Sequence, residues 1–225
     1  MIINLYHGSD HIIEKPIFGA GKPYNDYGMG FYCTTELNMA KEWAVGKNKN
    51  GFANCYSIEI NSLNILDLNS SDFNILNWLS VLLENREFDA PSVLANQAKA
   101  YILQNFSINY KKADCIIGYR ADDSYFSFAQ DFLNGTISYR QLSNAMHLGM
   151  LGQQFVIKSK KAFDLIHFEG YETADFSEWY PLKFNRDRKA RRDYFDTKKY
   201  QIKSDDLFIT QILREEMTSD DPRLR

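Results

Sequence analysis

The stretch PIFGAGKPYNDYGMG, residues 16–30, carries four glycines and two prolines, so neither a helix nor a strand can run through it. It must be an irregular loop, and it is rich in tyrosine. Ahead of it, IINLY (2–6) is apolar enough for a short buried strand that breaks at Gly8 and Ser9. Behind it, FYCTT (31–35) has strand composition, and TELNMAKEWAV sets Leu37, Ala40, Lys41 and Ala44 at helical spacing, with Thr35 the expected N-cap. The chain therefore opens as strand, glycine loop, strand, helix.

Further along, ANCYSIEIN (53–61), ILDL (65–68), DCIIGYR (114–120), QQFVIKS (153–159) and LIHFEGY (165–171) read as strands. Segments 71–84 and 91–106 read as helices. DDSYFSFAQDFLNG reads as a helix opened by its acids and closed by Gly135. SYRQLSNAMHLG reads as another, capped by Ser138 and ended by Gly149, and helices near 176–199 and 205–217 finish the chain. Strands and helices alternate irregularly, which predicts an α+β fold rather than a parallel α/β sheet. At 225 residues one domain with insertions is expected, with a helical insertion at about 70–110 and a helical C-terminal extension at about 175–217.

A 44% hydrophobic and 24% charged composition describes a soluble globule, and a net charge of −3 supplies no global field toward nucleic acid or membrane. The three cysteines, Cys33, Cys55 and Cys115, show no paired-ligand spacing and suit a reducing compartment. The N-terminus has no basic and apolar leader pattern, and no run approaches the roughly 18 apolar residues of a membrane span. A cytoplasmic location is expected. His11, His147 and His167 lack acid or cysteine partners at ligand spacing, so no metal is expected.

The glycine loop does not have the spacing of a doubly wound phosphate cradle: Tyr24 stands where the third glycine belongs, Pro23 has no N–H to donate, and no long helix follows. A Walker A pattern is also absent. A two-part signature does match. YHGS at a strand end is followed, 25 residues after His7, by the second tyrosine of YGMGFYCTT and then by AKEWA. This resembles the ADP-ribosyltransferase superfamily in its poly(ADP-ribose) polymerase and diphtheria-toxin branch. With YRADDSYF and LGQQFVIKSKKAF added, it is similar to a poorly characterised bacterial family of that superfamily. The resemblance is specific over 3–45, weaker over 113–168, and uninformative over 65–110 and the C-terminal part.

The resemblance implies a split pair of small antiparallel sheets gripping NAD as co-substrate. It implies that His7 contacts the adenosine ribose, that the Gly8 backbone pairs with the nicotinamide carboxamide, and that Tyr32, flanked by Gly30, stacks on the nicotinamide ring. Tyr24 or Tyr27 would close over the ring's other face, and Ser9 and Thr34 would support through their hydroxyls. Asn25 and Asp26 read only as turn residues.

The superfamily's third position is a glutamate at the start of a late strand. It aligns here with Gln154, or with Gln153 as the close alternative. A glutamine keeps a hydrogen bond to ribose but offers no charge to the oxocarbenium-like centre. A compensating acid is sought at Asp123, which equally suits the first turn of a helix, with Asp122 as that helix's cap. Arg120 beside them would hold a phosphate or pair with an acid. From Arg186 to Lys203 the run holds eight Lys and Arg against three Asp, which suits a solvated helix face, a nucleic-acid face or an anion platform. Trp43, Trp78 and Trp179 read as core or rim aromatics.

The function this implies is mono-ADP-ribosyl transfer from NAD to a protein or nucleic-acid acceptor, with release of nicotinamide. Bacterial proteins of the resembled type are often toxins, some paired with a neutralising antitoxin. The alternatives are a catalytically silent NAD- or ADP-ribose-binding module and an NAD glycohydrolase.

Overall fold

A computed structural model describes residues 1–88, 92–121, 123–148, 152–200 and 202–224, leaving aside the side chains of 123–125 and 197–200. The apolar N-terminal segment forms β1 (Ile2–Ser9), which runs on through His7 and Gly8 instead of breaking before them. It pairs antiparallel with β3 (Gly51–Glu59), placing His7 opposite Asn54 and Gly8 opposite Ala53. β3 pairs in turn with β7 (Ile166–Ala174). After the glycine loop, β2 (Phe31–Cys33) pairs with β6 (Gln153–Ile157), which pairs with β5 (Cys115–Tyr119), beside which lies β4 (Ile65–Asp67). The sheets are thus β1-β3-β7 and β2-β6-β5-β4, and with flanking helices they make the α+β class expected.

One pairing departs from an all-antiparallel expectation: β4 and β5 run parallel. The reason is the connection. Parallel neighbours need a long crossover, and here it holds α2 (Ile75–Asn85), α3 (Val93–Asn105) and a single 3-10 turn at Tyr110–Lys112. α2 is buried along most of its length, and its start is closed by a reciprocal cap. The Asn74 side chain accepts from Leu76 N and Asn77 N, and Asn77 returns a bond to Asn74 N at 2.9 Å.

Two apolar clusters follow from strand alternation. Leu5, Cys33, Ile58, Cys115, Phe155 and Ile157 fill the space between the sheets. Val156 and Ile116, the next residues over, turn to the other face of the second sheet and meet α2, α3, α4 (Asp123–Leu133), α5 (Tyr139–Ala145) and α8 (Ile209–Arg214). The two helical segments expected as insertion and extension therefore supply much of the larger core. Ser138 caps α5 as expected, with Gln141 completing the box, and Gly135 takes φ +71° after α4. Gly149 lies outside the described residues.

α1 (Leu37–Ala44) starts one position later than Thr35 would allow, with Glu36 at the N-cap and no side-chain cap; Thr34 Oγ1 accepts from Glu36 N instead. A short α6 (Lys160–Phe163), unmarked in the sequence reading, is capped by Ser159. α7 (Phe176–Tyr200) carries the basic run. Arg186 reaches back to the buried Glu42 of α1 at 2.6 Å, while Lys189–Asp193 and Arg191–Asp187 pair within the helix. That internal pairing is the behaviour of a solvated face. Among the described residues no helix is long and apolar enough to cross a membrane.

Candidate functional site

The two sheets meet edge to edge at one point, where Tyr6 N donates to Thr34 O (2.8 Å) and Thr34 N to Tyr6 O (2.9 Å). Beside this junction, under the glycine loop, opens a cleft of about 870 Å³, a size ordinary for a small-molecule site. His7, Gly30, Tyr32, Arg120 and Gln154 all line it. Five residues from separate parts of the chain therefore border one cleft.

His7 Nδ1 lies 2.7 Å from Tyr32 O, and its ring stacks on Phe31 with centroids 4.4 Å apart. A carbonyl only accepts, so Nδ1 carries the proton, and in the neutral ring Nε2 keeps a lone pair for a donor. Burial lowers the His7 pKa below 6.5, against the Tyr32 carbonyl bond that raises it, so the ring is neutral at pH 7. The linkage has a definite sign. The unfolded chain takes up its proton near pH 6.5 and the folded chain only lower, so the His7 contribution is whole above that pH and shrinks below it. Urea unfolding at a series of pH values is expected to show a stability loss below about pH 6.5 that is shallower in His7→Gln.

Tyr32 stands on β2 opposite Val156, on the same sheet face as Gln154, two residues away along β6. Its hydroxyl donates to Gly28 O (2.6 Å) and accepts from Tyr27 N (3.0 Å), which ties the ring to the glycine loop. Burial raises its pKa, so it stays a neutral phenol. Gln153, the alternative third residue, is exposed and turned to the opposite face; Gln154 is 6% exposed and in the cleft wall. Its Oε1 is buried and has no hydrogen-bond partner among the described residues. A buried orphan acceptor in a cleft wall suits a ligand hydroxyl.

The room left by the missing Gly8 side chain, expected for a carboxamide, is taken by α1. A Cβ there would overlap the Ala40 carbonyl oxygen and sit 2.7 Å from Ala44 N, so the missing side chain makes room for α1. The Gly8 N–H and C=O nevertheless project, two residues on from Tyr6, toward the same edge that Tyr6 uses to reach Thr34.

The remaining candidates are not brought together. Tyr27 is fully buried: its hydroxyl donates to Tyr119 O (2.5 Å) and accepts from Trp78 Nε1 (2.9 Å), making it a core residue. Tyr24 is 59% exposed and does not line the cleft. Ser9 bonds the His11 carbonyl, and Thr34 serves the junction and α1. The Asp123 side chain and all of Asp122 lie outside the described residues, so the proposed compensating acid is not placed.

Asp26, Arg86 and Trp43 also line the cleft and were not expected there. Asp26, read as a turn residue, is 6% exposed; it bonds Arg86 Nη1 (3.0 Å) and Ala121 N (2.8 Å). Arg86 also donates to Ala121 O at 2.6 Å. This knot fastens the glycine loop to the end of α2 and the β5–α4 connection. Trp43 lies under the Arg120 guanidinium, 4.6 Å from ring centroid to Cζ, and its buried Nε1 has no partner among the described residues. Among the described lining residues Asp26 is the one carboxylate, against Lys15, Lys22, Arg86 and Arg120. The cleft thus offers aromatic planes, a cationic excess, a neutral imidazole acceptor and two orphan polar atoms. Among the described residues no group of three His, Cys, Asp or Glu is arranged to hold a metal ion.

The chain is thus an α+β protein with a cleft beside the junction of its two sheets. The chain belongs to the DUF3990 family, described as a protein of unknown function, whose model matches residues 3–168. Every cleft-lining residue falls within that span. No curated protein and no solved structure matches the chain.

Proposed function

We propose that the cleft binds NAD and that the protein is a mono-ADP-ribosyltransferase with an ADP-ribosyltransferase-like pair of sheets. The observation that carries this is the meeting of His7 and Tyr32, 25 residues apart, in one cleft and bonded to each other through the Tyr32 carbonyl. His7 Nε2 accepts from an adenosine ribose hydroxyl, and the Tyr32 face holds the nicotinamide ring, a stacking contact of about 0.5–1.5 kcal/mol. Gly8 N–H and C=O on their edge match a carboxamide's acceptor and donor. Arg86 and Arg120 suit the pyrophosphate. Holding the ring still while its bond to ribose stretches is catalysis by orientation.

Gln154 takes the third position and bonds a hydroxyl of the ribose next to nicotinamide, without a charge for the developing cation. A charge-assisted bond is roughly twice as strong as a neutral one, and the 1–2 kcal/mol difference is worth about 5- to 30-fold in rate. Gln154→Glu is therefore expected to raise nicotinamide release at saturating NAD by about that factor. A rate equal to or below wild type removes Gln154 from this role.

A second reading, a silent NAD-binding module, is favoured by the same residue and by Asp26, whose carboxylate is already engaged by Arg86 and Ala121. Purified protein incubated with NAD and assayed for free nicotinamide separates the readings. Release with labelled macromolecule supports the transferase. Release without label means a glycohydrolase, and saturable NAD binding without release means the silent module.

A further inference from the structure

We infer that the acceptor offered to this cleft is a single-stranded nucleic acid, gripped by the glycine loop and its lysines. A second hollow of about 380 Å³ flanks the same loop and shares Gly30 and Phe163 with the cleft. The described residues lining the two include six cations, Lys15, Lys22, Arg86, Arg120, Lys111 and Lys158, and one carboxylate, Asp26, on a chain whose net charge is −3. The pyrophosphate of one NAD is a dianion, and two arginines answer it. The lysines are left for another polyanion.

These lysines are not equivalent. Lys111 pairs with Glu84, and Lys158 donates to Tyr27 O, its pKa lowered by burial. Lys15 and Lys22 are exposed at the cleft's lip. Between and beside them stand Ile17, 72% exposed, Phe18, 53% exposed, and Tyr24, on the same loop. Cations that follow a phosphate backbone, interleaved with aromatic faces that take unpaired bases, are the two requirements for holding a single strand. A duplex hides its base faces, and a lysine or arginine acceptor on a protein meets repulsion from the same lip.

Transfer rests on the transferase reading; strand binding does not. In the transfer, a nitrogen or oxygen nucleophile of the strand forms a bond to C1′ of the nicotinamide ribose. The C1′–nitrogen bond breaks with its electron pair going to nicotinamide, and the acceptor's proton passes to water.

The test is fluorescence anisotropy with labelled DNA and RNA strands of about 12 nucleotides and their duplexes, at about 50 and 200 mM salt, alongside transfer from labelled NAD. Single strands are expected to bind at least about tenfold more tightly than duplexes and to become labelled. Lys15→Gln with Lys22→Gln is expected to reduce the salt slope by about 1.4, and Tyr24→Ser to weaken binding about tenfold, at unchanged melting temperature. Equal binding of duplex, unaffected variants, or label found only on protein overturns the inference. Strand binding without nicotinamide release upholds strand binding and sinks the transferase reading. Nicotinamide release with label on a macromolecule but no strand binding does the reverse.

Discussion

His7→Ala is expected to lower nicotinamide release by about 100-fold or more while the protein stays folded. The imidazole has two bonds to lose: the one from Nδ1 to Tyr32 O and, in the proposed NAD complex, the one Nε2 accepts from a ribose hydroxyl. Its stack on Phe31 goes with them. Without that prop β2 is free to shift, and misplacing a reacting group by about 1 Å costs on the order of 100-fold. The folding cost is smaller, about 1–3 kcal/mol for an unsatisfied carbonyl and lost packing, because β1 keeps its whole ladder to β3. Nicotinamide quantified by chromatography, with circular dichroism on the same samples, checks both halves. Wild-type turnover in a folded His7→Ala protein would place the chemistry elsewhere.

Gly8→Val is expected to affect folding rather than chemistry, and strongly. The first atom of any side chain overlaps the Ala40 carbonyl and crowds Ala44 N and Trp43 Cβ, which are mostly helix backbone and do not yield as a side-chain tip does. Overpacking of this kind costs about 1–3 kcal/mol and more when backbone must move. In a chain of this length that lowers the melting temperature by about 2–12 °C. Calorimetry of Gly8→Val against Gly46→Ala, where a Cβ meets nothing nearer than 3.6 Å, separates this from a general intolerance of glycine replacement. An unchanged Gly8→Val melting temperature would mean that α1 does not rest on β1 as described.

The element order was legible because it rests on local signals. The strand composition of QQFVIKS placed β6, glycine and proline density placed the loop, and Ser138 as a cap marked α5. The opposite facing of successive strand residues, once pairing is known, puts Gln154 rather than Gln153 in the cleft; from sequence alone Gln154 was aligned there with Gln153 the close alternative, because a slip of one residue reverses both faces. Contacts between distant segments were not legible. Tyr27 reads as a loop tyrosine, yet its hydroxyl is satisfied by Tyr119 and Trp78, neither of which has any local relation to it. Asp26 beside Asn25 is an ordinary turn pair until Arg86, 60 residues on, is brought to it. An acid in a glycine loop together with an arginine at a helix end is the only hint the sequence holds. At Gly8 the space its missing side chain leaves belongs to a helix, which no local signal showed.

The central claim is that NAD occupies the cleft with its nicotinamide on Tyr32 and a ribose hydroxyl on His7. Co-crystallisation with a hydrolysis-resistant NAD analogue tests it without dependence on any acceptor. Density is expected with the pyridine ring against Tyr32, a ribose oxygen within hydrogen-bond reach of His7 Nε2, and the pyrophosphate toward Arg86 and Arg120. An analogue bound elsewhere, or a cleft still empty at millimolar analogue, would rule it out.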